Sequence, residues 1–454
     1  MEPLTLDGRT LSHRKTSIVV TTCFTQSYYT HACLEAIREW KTTRHELLVA
    51  CHDASLLLEF YLKGCVKDGL IDRLILTPPS FGHTRGVNRG FQEASGDLLF
   101  NVANDILLGP AILDDCAGKL AHDPRLGLIG WHWYNDGTFW DGEGRIARYQ
   151  LRDEHHPHMS PEDERNIRSA AWYTGRTFAA LGGPKWLCLC NTAFFGIRRP
   201  LWDRIGGFSD VYAHYWADDF LNYAVLDQGL DFSAFEGKFR DPCYFAEFQY
   251  QNLDREDRHR HRDWVPIPSK LERYLDFLGG GLSAGERQLL YQIARATPDG
   301  ATVLHVGLWR GSALILFLAA LHNAHIIGID CFDLPGISAY SAQPPVSRDE
   351  TAKYITAFLT AGHRVELVQA NTLTLTSFPA ADAIFVDAGH SAECVEHDLR
   401  LAAGAVKPGG LIIAHDYGQP SWPAVKQVVD AMFPSEQIRF FDTLCVIGQW
   451  SDMG

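Results

Sequence analysis

At roughly 100–200 residues per domain, a chain of 454 residues implies two or three units rather than one core. Hydrophobic residues make up 46% and charged residues 21%, a balance that excludes a disordered or fibrous protein. With 41 basic against 55 acidic side chains the net charge is −14, which repels phosphate backbones and makes nucleic acid an unlikely partner.

In chain order, Ser17–Thr22 (SIVVTT) is a β-branched strand, followed by an amphipathic stretch over Tyr28–Trp40 and a second strand at Glu46–Ala50. That strand runs out at Asp53, where a carboxylate can accept from a base or a ribose. Gly82–Gly96 has a helical core with small residues at both ends and leads into a strand at Asp97–Val102. The exit, Ala103-Asn104-Asp105-Ile106, puts a carboxylate where a metal bridging a diphosphate would sit; a turn former is the plainer alternative. Asn191–Phe208 reads as a strand, a basic turn and an aromatic-rich bend. Tyr212–Asp219 then delivers the adjacent acids Asp218 and Asp219 at a helix start, after aromatic side chains whose faces suit a sugar ring. Either acid can deprotonate a hydroxyl, and either is equally an ordinary partner of the helix dipole. Arg85 and Arg89 are phosphate contacts or surface arginines, and His259 or His261 is a further metal ligand or part of a solvated loop.

Trp264–Gly281 holds two prolines and a glycine triplet, the best linker signal in the chain. It divides the sequence into residues 1–268, a linker with a short helix and a Gly-rich turn at 269–284, and residues 285–454. Strand and helix patterns then begin anew, so an α/β fold with two Rossmann-like domains is expected.

Val303–Gly311 runs from a strand through a glycine-bearing turn into a helix starting at Ser312. Gly307 and Gly311 would let the backbone approach a ligand closely. The next strand, His325–Asp330, ends about 20 residues on in an acid that can accept both hydroxyls of a ribose, or cap a strand end. Asp387 and His390 follow a buried strand, and Lys407–Asp416 is a tight turn, a strand and a second acid. Strand carboxyl ends are where ligands sit in open α/β sheets, so Asp387 and Asp416 can converge on a divalent cation with His415 as a third contact. His390 is then placed to take a proton; helix capping by the two acids is the alternative.

Two resemblances join these pieces. SIVVTT, the DAS at 53–55, VNRGFQEASGDLLFNVANDI and RRPLWDRIGGFSDVYAHYWADDF together resemble the GT-A glycosyltransferases of the mostly inverting family 2, over about residues 15–235. That implies a nucleotide-sugar donor, with Asp53 on the base, Asp105 as the surviving acid of a metal motif and Asp218 or Asp219 as catalytic base. Ala103 stands where the motif's first acid is usual. VLHVGLWRGSA, IIGIDCFD, AIFVDAGHSAECVEHDL, KPGGLIIAHD and TLCVIGQW resemble class I S-adenosylmethionine-dependent methyltransferases, specifically the metal-dependent sugar O-methyltransferases, over about residues 285–450. This implies that Gly307, Gly311 and Asp330 hold S-adenosylmethionine, that Asp387 and Asp416 hold Mg or Mn, and that His390 is the base. His305 and His415 stand where acids are usual.

The combination implies a bifunctional transferase that attaches a sugar and O-methylates a sugar hydroxyl. The alternatives are a methyltransferase whose N-terminal domain only binds the glycan or acceptor, and a carbohydrate-binding scaffold. The expected partner is a small-molecule or glycan acceptor, and the sequence leaves room for a homo-oligomer. Eleven cysteines without paired spacing imply reduced thiols and a cytoplasmic location. The longest apolar run, Ser312–Leu321, is about half of the ~20 residues a bilayer span needs. The N-terminus shows no signal-peptide pattern.

Overall fold

The computed structural model describes residues 15–23, 27–78, 82–132, 191–209, 217–236, 245–247, 263–334 and 345–448. The chain forms two compact units, one holding residues 1–54 and 69–262, the other 55–68 and 263–452.

The first unit is built on a seven-stranded mixed sheet in the order β3-β2-β1-β4-β7-β6-β8. The strands are β1 (Thr16–Cys23), β2 (His45–His52), β3 (Arg73–Thr77), β4 (Leu98–Ala103), β6 (Leu126–His132), β7 (Asn191–Arg198) and β8 (Asp231–Glu236), while β5 (Ile106–Leu108) pairs apart with β9 (Phe245–Glu247). β1 runs parallel to β2 and β4, whereas β7 is antiparallel to both β4 and β6. β1 is buried on both faces, as its uninterrupted β-branched run dictates. The aromatic-rich bend fills one face of the sheet: Phe91 and Phe208 meet the Trp202 ring edge-on at 4.8 and 5.3 Å between centroids. Arg198 and Arg199 of the basic turn are structural, donating to the backbone oxygens of Leu120, Leu126 and Asp123 and of Gly96, Phe91 and Ala94.

A buried carboxylate ties β1, β2 and the entry to β4 together. Glu46 accepts from Ser17 Oγ (2.5 Å), from Ser95 N (2.7 Å) and Oγ (2.9 Å), and pairs with Lys15 at 3.2 Å. Burial alone would raise its pKa; these hydrogen bonds outweigh it and hold the group down at about 2, from an ordinary 4.5. A depressed carboxylate stabilises the fold above its unfolded pKa and loses that contribution as pH falls toward the folded value. Glu46→Gln is therefore expected to cost on the order of 2 kcal/mol at neutral pH, with the deficit shrinking between about pH 4.5 and 2 in urea melts.

The second unit carries the sheet β12-β11-β10-β13-β14-β16-β15. Its members are β10 (Thr302–Val306), β11 (His325–Asp330), β12 (Arg364–Gln369), β13 (Ala381–Val386), β14 (Val406–Ala414), β15 (Ile438–Phe441) and β16 (Leu444–Ile447). β10 to β14 are parallel, and the two C-terminal strands close the sheet antiparallel. The apolar run at Ser312–Leu321 is the buried helix Ser312–Ala320 rather than a span. No described helix is long and apolar enough to cross a membrane. Cys33, Cys116, Cys331, Cys394 and Cys445 are thiols.

The unit boundaries differ from a single cut near 268. The segment expected as linker belongs to the second unit: the helix Ser269–Leu278 buries Leu271, Leu275 and Leu278, and Arg310 donates to Leu278 O at 2.6 Å. The helix Leu56–Lys67, which lies in sequence between β2 and β3, also clusters there. It packs along the helix Ala284–Ala296, with Arg295 paired to Asp68, Arg439 paired to Glu59, and Lys67 donating to Thr297 O at 2.7 Å. Its sequence, LLLEFYLKGCVK, is apolar on most of its circumference and so needs more than one packing partner.

Candidate active site

Four neighbouring parallel strands of the second unit (β10, β11, β13 and β14) present their carboxyl ends to one edge. A cleft of about 690 Å³ opens there, lined by Gly307, Trp309, Asp330, Asp387, His390, His415, Asp416 and Trp422 among others. Of the residues expected from the sequence of this unit, Gly307, Asp330, Asp387, His390, His415 and Asp416 line this cleft, and Gly311 does not.

The glycine turn is shaped first by packing. Gly307 has φ +86, and a Cβ there would lie 2.1 Å from Asp387 O, so the residue lets β10 exit against the backbone of β13. Gly311 caps the helix Ser312–Ala320 in the left-handed conformation, φ +81. Asp330 fastens the turn: its Oδ2 accepts from Leu308 N and, at 2.9 Å, from Trp309 N, while Oδ1 accepts from Phe332 N at 2.6 Å. Three of the roughly four acceptor positions of a carboxylate are thereby taken by backbone N–H groups, and the Cys331 thiol also hydrogen-bonds to this carboxylate. Trp309, Phe332 and Asp416 line the cleft with φ of +47, +48 and +60, left-handed conformations that strain a side-chain-bearing residue.

Opposite the turn, two imidazoles converge on two carboxylate oxygens. His390 Nε2 lies 2.9 Å from Asp416 Oδ2 and 3.5 Å from Asp387 Oδ1. His415 Nδ1 lies 3.2 Å from Asp387 Oδ1 and 3.5 Å from Asp416 Oδ2. Burial would lower the pKa of His390, but the carboxylates of Asp387 and Asp416 hold it up at about 9; burial is likewise the largest single influence on His415, outweighed by the carboxylates, Asp387 first, which leave it at about 12. Asp416 is correspondingly held well below the usual carboxylate range. One ligand atom each from Asp387, His390 and Asp416 lies within 4.8 Å of the others, a spacing that fits one cation. Two oxygens and a nitrogen are donors a divalent ion accepts.

Two residues here, Glu286 and Trp422, escaped the sequence reading, and a third, His305, was legible only as a replaced acid. Glu286, only 2% exposed, faces His415 Nε2 at 3.6 Å and accepts from Ser283 N at 2.7 Å and Thr443 N at 3.1 Å. The Ser283–Glu286 capping box was visible as S-x-x-E, but nothing local tells that this glutamate also meets a histidine 129 positions on. Trp422 stacks on His390 with ring centroids 4.5 Å apart and planes at 21°. His305, replacing an acid, is buried and neutral, its pKa pushed down to about 4 by burial, with Nδ1 unbonded in the cleft wall among the described residues.

In the first unit, Asp53 follows the carboxyl end of β2 with φ +53, and Asp105 follows that of β4, the two strands flanking β1 on either side. Burial pushes Asp105 up to about 6. Asp218 and Asp219 form the first turn of the helix Ala217–Asp227, which ends just before β8 begins at the amino edge. The topology therefore directs that turn to the edge of Asp53 and Asp105. The side chains of Asp218 and Asp219, and all of His259 and His261, lie outside the described residues. Arg89 pairs with Glu93 at 2.8 Å, the surface role that was the plainer alternative.

Residues 304–417 match the family described as "Methyltransferase domain". A comparison with curated proteins finds no match. Among solved structures, the chain is similar to an O-methyltransferase from Bacillus cereus in complex with SAH (14% identity, TM-score 0.32, 43% of this chain and 97% of that one). It is similar also to the SAH-bound methyltransferase PaMTH1 from Podospora anserina (17%, TM-score 0.30, 45% and 97%). A third is the mannosyltransferase PcManGT from Pyrobaculum calidifontis in complex with GDP-Man and Mn2+ (14%, TM-score 0.34, 65% and 76%). The matched segment lies within the second unit and runs from β10 to just past β14.

Proposed function

We propose that the second unit transfers a methyl group from S-adenosylmethionine to a hydroxyl of a sugar-containing acceptor. The observation that carries this reading is the convergence of Asp387, His390, His415 and Asp416 on one cleft with the Gly307 turn and Asp330, inside the segment that matches a methyltransferase family. S-adenosylmethionine supplies a methyl carbon on a sulfonium whose leaving group is a neutral thioether, so the chain must provide alignment and take one proton. Asp330 would accept from a ribose hydroxyl, and the turn that starts at Gly307 would lie along the donor. Asp387 and Asp416 would hold a divalent cation, an ion that makes a nearby hydroxyl more acidic when bound. With a cation offsetting the Asp387 and Asp416 charges that otherwise hold it protonated, His390 Nε2 would be free to accept the hydroxyl proton as the oxygen lone pair forms the new O–C bond and the C–S electron pair stays on sulfur.

Incubation with isotope-labelled methyl donor and a panel of methyl glycosides and catechols tests this. A methylated glycoside is expected; label on catechols alone would reassign the acceptor.

A second reading adds sugar transfer by the first unit, from a nucleotide-sugar donor. Its support is the shared edge reached by Asp53, Asp105 and the turn of Asp218 and Asp219. Asp218 or Asp219 would take the acceptor proton while the diphosphate leaves, with Asp105 the sole motif acid at the metal. Sugar-nucleotide hydrolysis by the full chain, lost in the double variant Asp218→Asn with Asp219→Asn, is the expected result; no turnover of any donor leaves a binding module.

A further inference from the structure

We propose that His415, with Glu286 facing its far nitrogen at 3.6 Å, is the nitrogen ligand of the divalent-cation site, which makes the site select a nitrogen-accepting transition ion over magnesium. The inference rests on the reading of Asp387 and Asp416 as cation ligands and specifies what completes them.

Both imidazoles reach the same two oxygens, but their other surroundings differ. His415 is 6% exposed and sits deep in the cleft wall; like His390 Nε2, its ring nitrogens make no well-formed hydrogen bond among the described residues, so it is burial and the carboxylate behind it that set it apart. Its Nδ1 points at Asp387 Oδ1 and Asp416 Oδ2, and its Nε2 faces Glu286 Oε2. Glu286 is fixed by Ser283 N and by the backbone and hydroxyl of Thr443, so its position is set by a helix start and a strand start together. A histidine with one nitrogen toward an ion and the other toward an anchored carboxylate has its tautomer fixed, which is how metal-bound imidazoles are oriented. Without a cation Nδ1–H faces the two carboxylates; with one bound, Nδ1 would give up that proton and turn its lone pair to the ion, Nε2–H staying toward Glu286.

His390 has no such backing carboxylate among the described residues. It lies under the Trp422 ring, nearer the open side of the cleft, with its side chain 21% exposed against 5% for His415. Assigning the ligand role to His415 leaves His390 Nε2 for the acceptor proton. It also changes the chemistry of the site. Magnesium demands oxygen donors and an octahedral shell, whereas an imidazole with two carboxylates suits cobalt, nickel or zinc.

The test titrates the full chain with Co2+ alone, without methyl donor or acceptor, following its d–d absorption and competing with Mg2+. One Co2+ per chain is expected, undisturbed by a large excess of Mg2+. His415→Asn should weaken Co2+ binding and shift the band, Glu286→Gln should weaken it about 10–100-fold, and His390→Ala should leave the band in place. Calorimetry with S-adenosylhomocysteine on each variant establishes that the cleft is folded. Loss of the band in His390→Ala with retention in His415→Asn would overturn the inference alone, as would displacement by equimolar Mg2+. No Co2+ binding by the unaltered chain, or binding unaffected by Asp387→Asn with Asp416→Asn, would overturn the cation reading and the inference together.

Discussion

Replacing His390 by alanine is expected to slow methyl transfer about 10²–10⁴-fold, the usual contribution of a positioned proton acceptor. The fold should survive, for specific reasons. His415 remains within 3.5 Å of both Asp387 and Asp416, so the two carboxylates keep a counter-charge. The stack on Trp422 disappears, at a cost of about 0.5–1.5 kcal/mol. Donor binding should be unchanged, because the Gly307 turn and Asp330 are anchored through backbone hydrogen bonds that do not involve His390. Single-turnover rates with labelled donor, set beside thermal melts, check the split. A variant that transfers methyl groups at the original rate removes His390 from the proton path.

The second large effect concerns the helix Leu56–Lys67. A fragment starting at residue 269, which a cut at the Pro- and Gly-rich stretch would suggest, is expected to be unfolded or aggregated. It lacks the partner that covers the helix Ala284–Ala296, where Leu289, Leu290 and Ile293 are fully buried. Exposing even two or three such side chains costs ~1.5–3 kcal/mol each, comparable with the ~5–15 kcal/mol that stabilises a whole domain. Arg295 and Arg439 also lose Asp68 and Glu59. Fusing residues 55–68 to the fragment should recover a cooperative melt by circular dichroism. A fragment 269–454 that melts as the second unit does within the full chain would contradict this packing account.

These results separate what the sequence made legible from what it hid. Strand ends were readable because buried parallel strands are continuous apolar runs with acids at their tips, as at Asp330, Asp387 and Asp416. Their convergence followed once the strands were parallel neighbours. The purpose of Gly307 was read toward a ligand, and its closest neighbour proves to be the backbone of Asp387. The placement of the helix Leu56–Lys67 is not legible in its sequence, because hydrophobicity around most of a helix tells that it is covered, not by what. Glu286 and His415 meet only through tertiary packing, and no local pattern encodes a contact across 129 residues. The linker signal at 264–281 was chemically sound as a turn-rich stretch, yet its helix also has an apolar face at Leu271, Leu275 and Leu278, and burying that face joined it to the second unit.

The central claim is that the cleft at the ends of β10, β11, β13 and β14 is a methyl-donor site. Isothermal calorimetry of the full chain with S-adenosylhomocysteine tests it most directly. One site per chain is predicted, abolished by Asp330→Ala and preserved in Asp218→Asn with Asp219→Asn. Absence of binding at millimolar ligand, or binding indifferent to Asp330, would contradict it.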